Sequence, residues 1–172
     1  MSNKRPMKIA IFSDTHDNLV NFKKAISRAK RGETKLLIHC GDILKPETIK
    51  EALKNFPYKA HFVLSESDKC YFKNLSADYF DDLPNLKIWE DFGEIEVNGK
   101  KIAFCHLPKL AFKKAFARKY DVIFYGHLHK PWKTKIGKTT LINPGNLAGL
   151  FFRPTFALFD LKTEEFKLKI LN

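Results

Sequence analysis

The most restrictive feature of this chain is a repeated unit, a short apolar run that ends at an acidic or imidazole side chain. Ile9-Ala10-Ile11-Phe12 leads into Asp14-Thr15-His16, and the run closing at His39 leads into Gly41-Asp42. The run closing at Leu64 meets Ser65-Glu66-Ser67-Asp68, residues 101–105 meet His106, and residues 121–125 meet Gly126-His127-Leu128-His129. Apolar runs of this length, bounded by turn residues, read as buried strands. The stretches between the first three have a helical period. Residues 18–31 place Leu19, Phe22, Ile26 and Ala29 on one face, with Asn18 as N-cap and Gly32 as stop, and residues 46–55 open with a proline. Strands alternating with helices specify an α/β fold.

Past residue 68 the pattern changes. Residues 72–84 read as a short helix and then a loop, and 86–89 and 93–97 alternate as strands. Asn98-Gly99 is a hairpin turn, since both residues tolerate positive φ, and 101–105 is the returning strand. Residues 108–119 form an amphipathic helix carrying Leu110, Phe112, Ala115 and Phe116; 121–125 is another buried strand. Hairpins follow at 132–142, around Gly137-Lys138, and at 155–171. This order predicts two sheets packed face to face with helices outside. No repeat, low-complexity tract or linker divides the chain, so residues 1–172 read as one domain, long enough for a sizeable core.

Composition narrows the function. Hydrophobic residues make up 44% of the chain, including 16 Phe, which excludes disorder. A formal charge of +12 steers anions, so phosphorylated substrates or nucleic acid are the partners to weigh against a merely solubilising lysine surface. The lysines are dispersed and no base-stacking signature accompanies them, so nucleic acid is not favoured. Three cysteines, Cys40, Cys70 and Cys105, are too few for a disulfide scaffold and lack the spacing of a cysteine zinc site. Residues 1–7 are basic with no long apolar stretch behind them, and 9–12 is far too short for a signal or membrane helix. A cytoplasmic location without a membrane partner is expected.

Ligands of open α/β sheets gather at the carboxyl ends of the strands, where the polar residues lie here. Three carboxylates and four histidines exceed the needs of one tetrahedral metal. They suit two ions about 3.5–4 Å apart that share a carboxylate. Mixed nitrogen and oxygen donors favour Mn, Fe, Co, Ni or Zn over Mg or Ca.

These motifs, from Asp14 to about Arg153, resemble the calcineurin-like metallophosphoesterases, in particular the small single-domain phosphodiesterases of bacteria and archaea. The D-x-H stands as Asp14-Thr15-His16, the G-D as Gly41-Asp42, and the G-H-x-H as Gly126-His127-Leu128-His129, with Pro131 after it; an N-P-G stands as Asn143-Pro144-Gly145. The resemblance implies a four-layer α/β/β/α sandwich of two mixed sheets with helices on the outer faces. It implies two divalent ions, Mn foremost, with Fe, Ni, Co or Zn as alternatives. One would be held by Asp14, His16, Asp42 and His129, the other by Asp42, the residue at position 66, His106 and His127. Asp42 would bridge them, and a bridging hydroxide would attack phosphorus in line. Asp14, His16, Asp42 and His106 are the expected catalytic residues. Asp68, Asn143 and Arg153 are expected to orient the ligands or touch substrate, Arg153 either gripping a phosphate or making a surface ion pair.

Three positions depart from the family pattern. Glu66 replaces the metal-binding Asn, taking the net charge of two ions, Asp14, Asp42 and a hydroxide from +1 to zero. Ser67 stands where larger relatives carry a His that assists the leaving group. Leu107, followed by Pro108, replaces a Gly and makes the pocket stiffer and more apolar. The expected substrate is a small phosphate ester, favouring diesters. The alternatives are a non-catalytic scaffold like the retromer subunit of this fold, or a nuclease. His39 and His61 fall outside the ligand set; His39, two residues before Gly41, reads either as a core or edge histidine or as a support behind the ligands. Phe151-Phe152 is either core or the face of a homodimer.

Overall fold

The computed structural model describes residues 8–172, so the basic segment 1–7 lies outside the described residues. The elements run β1 (Lys8–Phe12), α1 (Leu19–Arg31), β2 (Thr34–His39), α2 (Pro46–Leu53), β3 (Lys59–Val63), α3 (Glu66–Phe72) and β4 (Leu86–Trp89). They continue with β5 (Phe92–Val97), β6 (Lys100–Cys105), α4 (Pro108–Phe116), β7 (Val122–Tyr125), β8 (Trp132–Ile136), β9 (Thr139–Asn143), β10 (Thr155–Asp160) and β11 (Phe166–Ile170). The first sheet has the order β11-β10-β1-β2-β3-β4 and the second β5-β6-β7-β9-β8. Both are mixed: β1, β2, β3 and β4 run parallel, as do β6, β7 and β9, while β10 pairs antiparallel with β1 and β11, β5 with β6, and β8 with β9.

Three apolar layers account for the stacking. Successive side chains of β1 point to opposite faces. Ala10 and Phe12 meet Phe22, Ile49 and Phe156 beneath α1 and α2. Ile9 and Ile11 meet Ile38, Phe104 and Phe124 between the two sheets. On the far side of the second sheet, Ala103, Tyr125 and Leu141 pack against Ala111 and Ala115 of α4. The order is therefore α/β/β/α, as expected. Strands buried on both faces have no polar side to alternate with, which is why they read as unbroken apolar runs.

Local signals explain the element ends. Asn18 accepts the Asn21 N–H at 3.0 Å and caps α1. Gly32 ends it without a left-handed turn, at φ −81°; a side chain there would press to 3.2 Å from Leu158. Asn98 and Gly99 take φ of 54° and 77° and turn β5 back into β6.

The structure corrects two readings and decides a third that was open. The short helix lies at 66–72, not within 72–84, because Ser65 and Asp68 form a capping box that starts it earlier. Helix α4 stops at Phe116 and presents Ala111 and Ala115 to the sheet, leaving Phe116 69% exposed. Small residues let that helix approach closely, and the phenyl ring falls off the buried stripe. Phe151 is 98% exposed, so the Phe151-Phe152 run is not core.

Gly93 pairs with Phe104 across β5 and β6, and an added Cβ would lie 2.1 Å from the Phe104 ring. Gly93→Ala should destabilise the protein by about 1–3 kcal/mol through overpacking. Urea unfolding measures this, and Phe104→Leu in the same chain should recover part of the loss.

Candidate metal centre

The five polar segments meet where the two sheets present the carboxyl ends of their parallel strands. Backbone hydrogen bonds fasten the loops to one another. Asp14 N–H donates to Gly41 O, His16 N–H to Asp42 O, and Gly126 N–H to His106 O. Leu147 and Ala148 donate to the Asp14 carbonyl, so the Asn143-Pro144-Gly145 turn closes over the first loop. Asn146 Nδ2 donates to His129 O, binding that loop to the histidine pair.

The backbone here is forced into unusual conformations. Asp14, His16, Asp42, His127 and His129 all have φ between 46° and 73°, and Leu44 has 74°. Left-handed non-glycine residues cost on the order of 1–3 kcal/mol each and persist where surrounding structure fixes them. Gly126 is required by crowding: a Cβ would lie 2.0 Å from Ser13 Oγ and 3.0 Å from Asp14 Oδ2.

The side chains form a continuous string of donors. Asp14 Oδ1 lies 3.3 Å from His129 Nε2, which lies 3.2 Å from His16 Nε2. Asp42 Oδ2 lies 3.5 Å from His16 Nε2 and 3.4 Å from His106 Nε2, and His106 Nε2 lies 3.3 Å from His127 Nδ1. One oxygen of Asp42 thus stands between two histidine pairs. Asp14, His16, Asp42 and His129 each offer a donor atom within 4.8 Å of the others. The His129 pKa is raised, first by its bond to Asp14 and against desolvation.

The residues fit divalent ions. Asp42 Oδ1 is buried and has no hydrogen-bond partner among the described residues. His106 Nδ1 faces the Cys40 carbonyl at 2.8 Å, and a carbonyl only accepts, so Nδ1 carries the proton and the Nε2 lone pair faces Asp42. Two imidazole nitrogens 3.2 Å apart, as in His16 and His129, need a proton between them or a cation in front of both.

The other expected residues divide. Asp68 is buried and takes N–H bonds from Asp42 (2.9 Å) and Ser65 (2.9 Å) on Oδ2 and from Leu44 (2.7 Å) on Oδ1. It fixes the Asp42 loop against α3; burial nonetheless raises its pKa. Asn143 is buried too, with its amide spent on Gly126 O and Gly145 N–H, so it braces loops. Arg153 is exposed and donates to the Asn172 side chain. Glu66 turns outward: its side chain is 79% exposed and its carboxylate lies 2.7 Å from Lys69 Nζ.

His39 fills both of the roles that its position suggests. It is fully buried, stacked on Phe62 with centroids 5.0 Å apart. Gly41 N–H donates to its Nδ1 at 3.2 Å, so Nε2 carries the proton and donates to Thr15 Oγ1 at 2.8 Å. It joins the loop of Asp14 and His16 to that of Asp42. Its signal was placement two residues before Gly41. Asp17 was missed; it accepts from Lys45 N–H and Thr48 Oγ1 and holds the start of α2.

Residues 7–164 match the calcineurin-like phosphoesterase superfamily domain, and the chain belongs to that family. It is 31% identical over 173 residues to Phosphodiesterase MJ0936 of Methanocaldococcus jannaschii, covering 96% of this chain and 100% of that one. The solved structure of an archaeal phosphodiesterase superposes with a TM-score of 0.85 at 29% identity, over 96% of this chain and 100% of that one. Vacuolar protein sorting 29 of Cryptosporidium parvum shares the fold at TM-score 0.67 and 17% identity, over 96% and 97% of the two chains. Family, fold and the Asp/His cluster define a metal-dependent phosphoesterase.

Burial holds His39 down to about pKa 3, aided by His106 and His16, and holds His61 down to about 4. Below the ordinary histidine value of about 6.5, the unfolded chain binds a proton at position 39 that the folded chain refuses, so stability falls as pH falls. At pH 4.5 this loss is about 2–3 kcal/mol. Urea unfolding in chelator at pH 7 and 4.5 should show His39→Phe losing less stability than the parent by that amount; equal losses would refute the assignment.

Proposed function

We propose that this protein hydrolyses phosphodiesters at a centre of two divalent ions bridged by Asp42. The observation that carries the reading is the placement of Asp42 Oδ2 between His16 and His106, with Asp42 Oδ1 buried and partnerless among the described residues. Asp14, His16, Asp42 and His129 would hold one ion. Asp42, His106 and His127 would hold the other, while Glu66, turned outward to Lys69, stands beside that ion at the rim of the site. Bound there, the ions supply Lewis acidity that polarises the phosphoryl oxygens and lowers the pKa of the attacking water.

The chain contributes preorganisation. The Cys40 carbonyl fixes the tautomer of His106, and Asp68 and His39 hold the loops that carry Asp42, Asp14 and His16. The site therefore presents its donors without reorganising during the reaction. The preference for diesters rests on the phosphodiesterase that this chain resembles over its whole length. The nitrogen and oxygen donor set supports Mn, with Fe, Co, Ni or Zn as alternatives. Three unpaired cysteines support a cytoplasmic location; no helix among the described residues is long and apolar enough to cross a membrane. The exposed run Leu150-Phe151-Phe152 supports a homodimer, which sedimentation of Phe151→Asp tests by loss of the dimer.

Chelation should abolish cleavage of bis(4-nitrophenyl) phosphate, and Mn²⁺ should restore it. Asp42→Asn should lower kcat/KM by more than about 100-fold, the scale of losing a charge-stabilising group. No turnover with any divalent metal would favour a scaffold over an enzyme. Calorimetry with Mn²⁺ should find two ions per chain, and Glu66→Asn should leave the affinity of the second unchanged. A weakened second site would return Glu66 to the ligand set expected from the sequence.

A further inference from the structure

A cavity of about 450 Å³ opens beside Asp42, His106 and His127. Volumes of this size hold a compact organic group. Its walls are of two kinds. Leu64, Leu107 and Leu110 form an apolar side. Glu66 and Asp91 also line it, and among the described residues no lysine or arginine does. Lys69 stands at that rim, its Nζ 2.7 Å from Glu66 and 2.6 Å from Asp91. One ammonium between two carboxylates leaves that rim with a net charge of −1.

We infer that this cavity takes one ester group of the substrate, and that this group is uncharged or cationic, with an apolar face against the leucines and hydrogen-bond donors toward Glu66 and Asp91. The inference rests on the phosphodiesterase reading and adds to it the chemistry of the ester group. An aryl or nucleoside group meets these terms. A group bearing a second phosphate or a carboxylate does not, because it would face Glu66 and Asp91 with no cation free to answer it. A polynucleotide, anionic at every link, is excluded on the same ground.

The overall charge of +12 does not contradict this. Four cations, Lys101, Arg118, Lys119 and Lys138, line a separate cleft of about 680 Å³ near the amino ends of β6 and β7. None of the four makes an ion pair among the described residues. The cavity beside Asp42, His106 and His127 carries the opposite balance. Leu107 matters here because its apolar side chain extends the leucine wall beside His106.

The test compares two symmetric diesters of equal shape, bis(4-carbamoylphenyl) phosphate and bis(4-carboxyphenyl) phosphate, with the Mn²⁺-loaded full chain. Both ester groups of each are identical, so either orientation reports on the cavity. The neutral diester should have the higher kcat/KM by at least about tenfold. Leu110→Lys should shrink or reverse that ratio. Asp91→Asn, at an exposed position, should shrink it without touching the apolar wall and serves if Leu110→Lys does not fold. Turnover of both diesters with a ratio near one, or a ratio that neither variant moves, overturns the inference. Turnover of neither diester, nor of bis(4-nitrophenyl) phosphate, with any divalent metal instead defeats the phosphodiesterase reading itself.

Discussion

The constraint on which this molecule turns is the burial of negative charge at the meeting of its sheets. Asp14 and Asp68 are fully buried and Asp42 nearly so. Isolated carboxylates in such a place cost several kcal/mol each unless paired. Asp68 is answered by three N–H bonds from its own loops. Asp14 and Asp42 are answered only in part, the first by His127 N–H and His129, the second by His16, since His106 turns the lone pair of Nε2 toward it. Among the described residues no lysine or arginine pairs with either. Imidazoles that must also serve as lone-pair donors cannot all be cations. The arrangement is therefore completed by positive charge from outside the chain, which is what a divalent-metal phosphoesterase requires.

The rest of the fold holds that arrangement in place. Three apolar layers make the strands rigid, and the loops beyond them are fastened across strands. Without that stiffness, five donor-bearing residues would not stay at positive φ. Strain at the site and packing beneath it are thus two sides of one design: the cores hold the loops, and the loops hold side chains at angles the isolated backbone disfavours. His39 sits at the junction. It belongs to the core by burial and to the site by its hydrogen bonds, so its two readings are not alternatives.

Much of this was legible in the sequence because the signals were local. Apolar runs set the strands, Asn18 the start of α1, Asn98-Gly99 the hairpin, and the spacing of Asp14, His16, Asp42, His127 and His129 the centre. What was not legible depended on competition between neighbours. Ser65-Glu66-Ser67-Asp68 reads equally as a ligand loop or as a capping box, and in the fold Asp68 does the capping while Glu66 pairs with Lys69. Phe116 lies beside the buried stripe of α4, and only the close approach allowed by Ala111 and Ala115 decides that it stays outside. The role of His39 required knowing which backbone N–H and hydroxyl would face its two nitrogens.

Charge has to be read at two distances to make sense of this protein. The excess of lysine and arginine draws anions toward the molecule as a whole, a long-range effect that weakens over about 8–10 Å in physiological salt. It cannot choose among phosphate esters, because every one of them is drawn in the same way. Selection belongs to groups in contact with the substrate, and those beside Asp42, His106 and His127 are leucines and carboxylates. The phosphate itself is neutralised at the metal centre, so the walls are free to judge what is attached to it. A basic protein with an acidic, apolar recess next to its reactive groups attracts phosphate esters broadly and retains those whose ester group is uncharged.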